Sequence, residues 1–289
     1  MRMISTNPEE TKKYFESIGL PALAKHQDRF VEAHETLLAL KQFNVLQAHP
    51  VIFAAILCIR RLKLQKDSET ARSFVRLLKG LESYHFINTY VCSHIGNEVE
   101  HLYADSCKAF GSAAKFGLAV DKLVSELRKK RAPLNEFREN FVQIEYSEKN
   151  TGKLSYIFDR HNNYGRKVGE RKAIFYPDVN MFRRHYNVEH IEPQNPPQSL
   201  DTSVPSARLN NIGNLTILTT QLNSSLGNKS AKEKFTLMKG PLAKRIAELP
   251  ALVSMNEKYG NDTMIWNDLI IESRARDLAE FSYQKVWPL

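Results

Sequence analysis

Acidic, imidazole and carboxamide side chains are concentrated in one stretch of this 289-residue chain, between residues 189 and 228. The set comprises Glu189, His190, Glu192, Asn210, Asn211, Asn214, Asn223 and Asn228. A neutral imidazole can take a proton near pH 7, and carboxylate and amide oxygens suit a hard cation such as Mg²⁺ or Mn²⁺. Because asparagine is depleted from strands, a buried hairpin gives no structural reason for so many of them. The stretch therefore indicates a chemical site.

The elements that must position these side chains can be read from the surrounding pattern. Uneven alternation predicts a strand over residues 183–191, and a turn-rich loop with four prolines follows at 192–208. A second strand is expected at 214–219, after Gly213, and a turn at 223–228. Ser230 is a suitable N-cap for a helix at 231–238. The expected order is strand, long loop, strand, turn, helix.

The first 165 residues have a helical pattern instead. Pro8 follows a capping asparagine and precedes two acids, which is typical of a helix start. Apolar residues at three- and four-residue steps predict further helices at 51–64, after the Asp67 cap, and at 97–110, 114–130, 134–145 and 153–163. A last long helix is expected at 263–287. These stripes indicate a bundle-like or solenoid-like scaffold.

Composition and charge narrow the class of protein. Hydrophobic residues make up 42% of the chain and charged residues 25%, which is ordinary for a globular protein and excludes disordered and collagen-like classes. The net charge is +9, and residues 151–240 hold 13 Lys and Arg against 7 Asp and Glu. On charge alone, this excess fits a polyanionic partner and an ordinary solvated basic surface equally well. Three cysteines, no apolar leader and no apolar run of membrane length indicate a cytoplasmic protein without a membrane segment.

The motif spacing resembles a known nuclease pattern. Residues 188–193, Val-Glu-His-Ile-Glu-Pro, resemble the acid–His–x–x–Pro opening of an HNH, or His-Me finger, endonuclease. Residues 212–218, Ile-Gly-Asn-Leu-Thr-Ile-Leu, resemble its second strand with the middle asparagine. The fuller pattern is similar to the HNH domain of GmrSD-type, modification-dependent restriction endonucleases. Trp266, Ile271, Arg274, Leu278 and Trp287-Pro288 resemble the closing helix of that family.

The resemblance implies roles for individual residues. His190 and Asn214 would be the catalytic residues, with His190 as the general base and Asn214 on the second strand holding that region in place. Glu189 and Asn223 would be ligands of a divalent metal, Mg²⁺ or Mn²⁺. Neighbours on a regular strand face opposite sides, so Glu192 is the rival ligand unless the strand ends or bends at His190. Glu189 is favoured because it occupies the motif position.

Two positions depart from the commoner family pattern, since Glu189 stands where Asp is usual and Asn223 where His is frequent.

Weaker expectations concern Arg183, Arg184 and Lys229, which are candidate nucleic-acid contacts. His161 and His185 are further candidate ligands, although a structural role is favoured for both.

The sequence therefore predicts an α+β fold, with a helical scaffold or interaction region at 1–175. An HNH-type nuclease domain follows at 176–289, with a small ββα-metal unit and a closing C-terminal helix. The predicted function is metal-dependent hydrolysis of DNA phosphodiester bonds in restriction of foreign, including base-modified, DNA. A catalytically inactive nucleic-acid-binding or adaptor subunit on the same fold is the alternative.

Partners follow from what the sequence lacks. It contains neither the NTPase-like motif usual in this family nor a phosphate-binding GxxxxGK[ST] loop. An NTPase-like specificity subunit, or a missing domain of that type, is therefore expected. Double-strand cutting would need two copies of the unit, as in a homo-oligomer, or two successive events.

Overall fold

The computed structural model describes residues 7–17, 20–95, 99–195, 206–261 and 265–289. The described chain is mostly helical and contains a two-stranded antiparallel sheet, consistent with the predicted α+β class. It divides into two compact units, residues 1–133 with 287–289, and residues 134–286. Among the described residues, no helix is long and apolar enough to cross a membrane.

Unit one is built from helices. They are α1 (Pro8–Ser17), α2 (Pro21–Lys25), α3 (Gln27–Gln42), α4 (His49–Arg61), α5 (Ser68–His85), α6 (Glu100–Ser112) and α7 (Phe116–Lys129). Asp67 caps α5 as predicted, because its carboxylate accepts a hydrogen bond of 2.6 Å from the backbone N–H of Thr70. The apolar stripe of α5, including Phe74, Leu78 and Leu81, is buried and forms part of the core of this unit.

Unit two carries the chemical residues. Its elements are α8 (Leu134–Phe141), α9 (Thr151–Asn163), α10 (Val179–His185), β1 (Tyr186–His190), α11 (Ser206–Leu209), β2 (Leu215–Thr219), α12 (Thr220–Leu226), α13 (Ala231–Lys239), α14 (Ala243–Ile246), α15 (Pro250–Tyr259) and α16 (Asp268–Phe281). Strand β1 pairs with β2, with Glu189 opposite Thr216 and His190 opposite Leu215. The helix α12 follows β2 directly and contacts both strands.

The strand predicted over residues 183–191 is wrong in its first part. Residues 179–185 form the helix α10, because the carboxylate of Asp178 caps it by accepting from the backbone N–H of Asn180. Arg183, Arg184 and His185 then lie in its last turn, where the two positive arginine side chains complement the negative end of the helix dipole. The strand itself starts only at Tyr186 and ends at His190.

The turn predicted at 223–228 is also wrong in its first part. The hydroxyl of Thr219 accepts a hydrogen bond from the backbone N–H of Leu222 and starts α12 directly after β2. The helix ends at Gly227, whose φ of +55° is readily adopted only by glycine. Asn223 consequently lies within a helix instead of a turn.

Other expectations are confirmed with small shifts in their limits. Ser230 caps α13 through a capping box with Glu233. The last helix was expected from residue 263, which lies outside the described residues; α16 starts at Asp268, because Asn267 caps it, and a π-helical turn at Ser282–Val286 continues it. The nuclease domain expected to begin at residue 176 starts inside unit two, and the extent of that domain stays a prediction.

Candidate functional site

His190 ends strand β1 and is the centre of the candidate site. Its ring is mostly buried, with 8% of the residue exposed. Burial lowers the pKa of this imidazole, and the hydrogen bond with Asn210 opposes the shift only in part. The ring is therefore neutral at pH 7, which is the protonation state that a general base requires.

Asn210 determines which ring nitrogen of His190 carries the proton. Its side-chain Oδ1 lies 3.0 Å from His190 Nε2 and 2.6 Å from Gln194 Nε2. Because an amide oxygen only accepts hydrogen bonds, His190 Nε2 must be the donor and carry the proton. Nδ1 is then the basic nitrogen, and it makes no hydrogen bond within the part of the chain that the structure describes.

Tyr146 holds the ring of His190 from another side. The two rings meet edge to face, with their centroids 5.2 Å apart. The hydroxyl of Tyr146 donates to Glu148 at 3.1 Å, and Glu148 in turn forms an ion pair with Arg183. This pairing occupies the guanidinium of Arg183, which was expected to contact nucleic acid.

Glu189 contacts a different element from His190. Its Oε1 lies 2.7 Å from the ammonium of Lys234 on α13, and the Lys234 side chain is only 1% exposed. Burial raises the pKa of the Glu189 carboxyl, whereas the charge of Lys234 and hydrogen bonds from Lys234 and His190 lower it. The side chains of Glu189 and His190 therefore approach different neighbours.

Glu192, the rival ligand, has a structural contact. Its Oε2 accepts a hydrogen bond of 3.0 Å from the backbone N–H of Ala231, in the first turn of α13. A carboxylate at this end of a helix is stabilised by the dipole. Burial raises the pKa of Glu192, opposed by this hydrogen bond and by the charge of Lys234.

Asn214 joins the segment after β1 to the segment before β2. Its Oδ1 accepts from the backbone N–H of Glu192 and from Trp266 Nε1, both at 2.9 Å. Its Nδ2 donates to the carbonyls of Glu192 at 3.0 Å and Leu209 at 2.8 Å. Because Asn214 is fully buried and every polar atom of its carboxamide has a partner, it acts as a positioning residue.

The residues around Asn214 are themselves held by α16. Arg274 is buried and donates to the carbonyl of Gly213 at 2.6 Å. A Cβ at Gly213 would collide with the backbone carbonyl of Ile271, so only glycine fits there. The family-like residues Trp266, Ile271 and Arg274 thus support the start of β2.

The side-chain oxygen of Asn223 differs from those of the other site residues in its hydrogen bonding. Its Oδ1 is buried and has no hydrogen-bond partner within the described residues, although α12 contacts both strands. Leaving a buried amide oxygen unpaired costs about 1–3 kcal/mol, so such an atom in a native site is expected to bind a water molecule or an ion. The sequence-predicted ligands Asn223 and Glu189 thus lie on two elements that touch, and each has a different environment.

Two arginines and a histidine line a cavity beside α12. Arg184, His185 and Arg245 line a cavity of about 500 Å³ together with Thr219, Thr220, Gln221, Leu222 and Glu248. Arg184 is exposed and has no ion-pair partner among the residues placed by the structure, and Arg245 donates to Ser225 at 3.1 Å. Lys229 instead donates to the carbonyl of Leu226 at the end of α12, at 3.3 Å.

The two additional histidine candidates have structural contacts. His161 Nε2 lies 2.8 Å from the hydroxyl of Ser282, and burial lowers the pKa of His161 to about 3. His185 stacks on Tyr176 with ring centroids 5.7 Å apart. In the described ranges, no group of three or more His, Cys, Asp or Glu side chains could hold a metal ion.

The sequence pattern gave no indication of two residues at the site, Tyr146 and Lys234. Asn210 belonged to the asparagine-rich set, but nothing in the sequence assigned it to His190. Lys234 lies 44 residues from the carbonyl oxygen of His190 that it binds, and no local pattern marks that contact.

One comparison with known proteins gives a match. A family model described as GmrSD restriction endonucleases, C-terminal domain, matches residues 132–281, which nearly coincide with unit two. No curated protein and no solved structure matches the chain.

Proposed function

Since this chain belongs to the GmrSD restriction endonuclease family, we propose that it hydrolyses DNA phosphodiester bonds at an HNH-type site with a divalent metal ion. His190 is the general base, Glu189 and Asn223 are the metal ligands, and Asn214 positions the two strands. Restriction of foreign DNA, including base-modified DNA, is the role that fits the family.

One observation carries the proposal. A neutral imidazole ends β1, and the helix α12, which contacts that strand, holds a buried amide oxygen without a partner among the described residues. The first is the group that takes a proton from water, and the second is an oxygen that suits a hard cation.

The histidine is prepared for proton transfer by its neighbours. Asn210 accepts a hydrogen bond from Nε2–H and thereby fixes the tautomer, and Tyr146 restricts the orientation of the ring. The Nδ1 lone pair is left to receive a proton from the attacking water. In this arrangement Asn210 and Tyr146 are positioning residues, and His190 is the catalytic residue.

The residues present fit a magnesium or manganese ion. Mg²⁺ is usually bound by only one or two protein oxygens and keeps several waters, so Glu189 with Asn223 is a sufficient set. When bound, such an ion supplies charge neutralisation on the phosphate and stabilisation of the departing 3′ oxygen. The unpaired Oδ1 of Asn223 supports this assignment.

The pH dependence of cleavage follows from the environment of His190. Burial lowers its pKa from 6.5, so the neutral base persists below that value and cleavage is lost only as the pH falls through the lowered pKa. We expect Asn210→Asp to move this acid limb to higher pH, because a carboxylate stabilises the imidazolium. Profiles of kcat/KM between about pH 5 and pH 9 would measure the acid limb of the wild type and of Asn210→Asp. An acid limb at the same pH in both proteins would argue against His190 as the base.

DNA binding is expected to involve the cavity beside α12. Arg184→Ala with Arg245→Ala should weaken binding and reduce the slope of log K against log salt by about 0.9 for each phosphate that is no longer neutralised. Fluorescence anisotropy with a labelled duplex at several salt concentrations measures the slope. The matched control is Arg72→Ala with Arg76→Ala, two exposed arginines of unit one that pair with Glu69 and Asp121; equal slopes for the two double variants would exclude this cavity.

An adaptor that retained the fold without cleavage is the competing function, and an NTPase-like subunit is the expected partner. Relaxation of supercoiled plasmid with Mg²⁺ or Mn²⁺ separates the two functions directly, because an adaptor leaves the plasmid intact. Co-purification with an NTPase-like protein would support the partner, whereas full regulated activity of this chain alone would contradict it.

A further inference from the structure

The lysine at position 234 is almost completely buried next to the motif acid. Its ammonium lies 2.7 Å from Glu189 Oε1 and 2.6 Å from the carbonyl oxygen of His190. Lysine is almost never fully buried unless it is paired, because removing the charge from water is costly. These two contacts are therefore the reason why the side chain can occupy this place.

The backbone that carries Lys234 is fixed independently of the ion pair. Ser230 and Glu233 cap the first turn of α13, and Glu192 binds the backbone N–H of Ala231. The helix is thus attached to the chain just beyond β1, one turn before Lys234. The backbone of α13, from which the Lys234 side chain extends to the end of β1, is therefore held in place by contacts other than the ion pair.

We propose that Lys234 is a positioning residue for metal binding, and this inference rests on the proposed function. One ammonium group holds both the carboxylate of Glu189 and the peptide of His190. It thereby fixes the motif acid and the base relative to each other, which ordinary strand alternation does not do. An ammonium is a compact charge with three donors, so it can hold a carboxylate and a carbonyl from one point.

The contact has a different consequence from that of a purely structural ion pair. Groups that orient metal ligands typically change metal affinity about 10–100-fold when they are removed. A structural pair would affect only the free energy of unfolding. Metal affinity, measured on folded variants, therefore distinguishes the two roles.

The experiment compares Mn²⁺ binding by the full chain and by Lys234→Met, with free Mn²⁺ followed by electron paramagnetic resonance. We expect the dissociation constant to rise about 10–100-fold in Lys234→Met. The double variant with Glu189→Gln should bind no more weakly than Glu189→Gln alone, because Lys234 acts through Glu189. Lys232→Met, an exposed lysine in the same helix, is the control and should bind as the wild type does.

If Lys234→Met does not fold, Lys234→Arg tests the same inference. Arginine keeps the charge that pairs with Glu189 but places its donors in a planar fork. We expect weaker Mn²⁺ binding and a lower kcat with an unchanged KM for DNA. Wild-type Mn²⁺ affinity in folded Lys234→Arg, or in folded Lys234→Met, overturns the inference while the proposed function stands. If the wild-type chain itself binds no Mn²⁺, the proposed metal site fails first.

Discussion

Replacement of His190 by alanine is expected to lower the rate of DNA cleavage by about 10²–10⁴-fold, which is the usual contribution of a general base. The fold should persist, because the ring has one side-chain hydrogen bond within the described chain, with Asn210, and the strand pairing belongs to the backbone. Nicking of supercoiled plasmid in Mg²⁺ or Mn²⁺, followed over time, gives the rates.

The control for this variant is His101→Ala, an exposed histidine on α6 of unit one. It should cleave as the wild type does. Equal rates for His190→Ala and the wild type would remove the imidazole from the reaction. If neither the wild type nor His101→Ala cleaves DNA with any metal tried, the adaptor function is favoured.

Replacement of Asn214 by alanine should destabilise unit two by roughly 3 kcal/mol or more. The change leaves the backbone N–H and carbonyl of Glu192, the carbonyl of Leu209 and the indole N–H of Trp266 without the carboxamide that binds them. Each buried polar group left unpaired costs about 1–3 kcal/mol. Urea unfolding followed by circular dichroism measures the difference in free energy.

Asn223→Ala provides the matched comparison, since it removes the same side chain from α12. The Oδ1 of Asn223 has no hydrogen bond to any residue that the structure places, so the variant loses no hydrogen bond there and should be at least as stable as the wild type without metal, by up to about 1–3 kcal/mol. Mn²⁺ binding should be weakened instead. If Asn214→Ala were as stable as Asn223→Ala, the hydrogen bonds of Asn214 would not hold the two segments together.

Local signals in the sequence were sufficient for several elements. The β-branched run after Gly213 predicts a strand, observed at residues 215–219, and Ser230 with Glu233 marks the start of α13. These patterns suffice because capping and alternation depend on neighbours within a few residues. The short helices α10 and α12 were missed, although Asp178 and Thr219 are suitable N-caps.

The candidate site was predictable only in part. Motif spacing identified His190, Glu189, Asn214 and Asn223, and whether these residues perform the assigned chemistry stays a prediction. The neighbours that determine their state come from remote positions. Tyr146 reaches His190 from a segment that precedes α9, and Lys234 reaches Glu189 from α13. Side chains that meet through tertiary packing leave no periodic signal.

Anomalous scattering from crystals of the protein soaked in Mn²⁺ would locate the proposed metal site directly. We expect one peak that is about 2.0–2.6 Å from an oxygen of Glu189 and from Oδ1 of Asn223. The ring of His190 should lie beside the same site, with Nδ1 facing it. Mn²⁺ bound elsewhere, with His190 and Asn223 on separate surfaces, would show that these residues do not form a metal-dependent nuclease site.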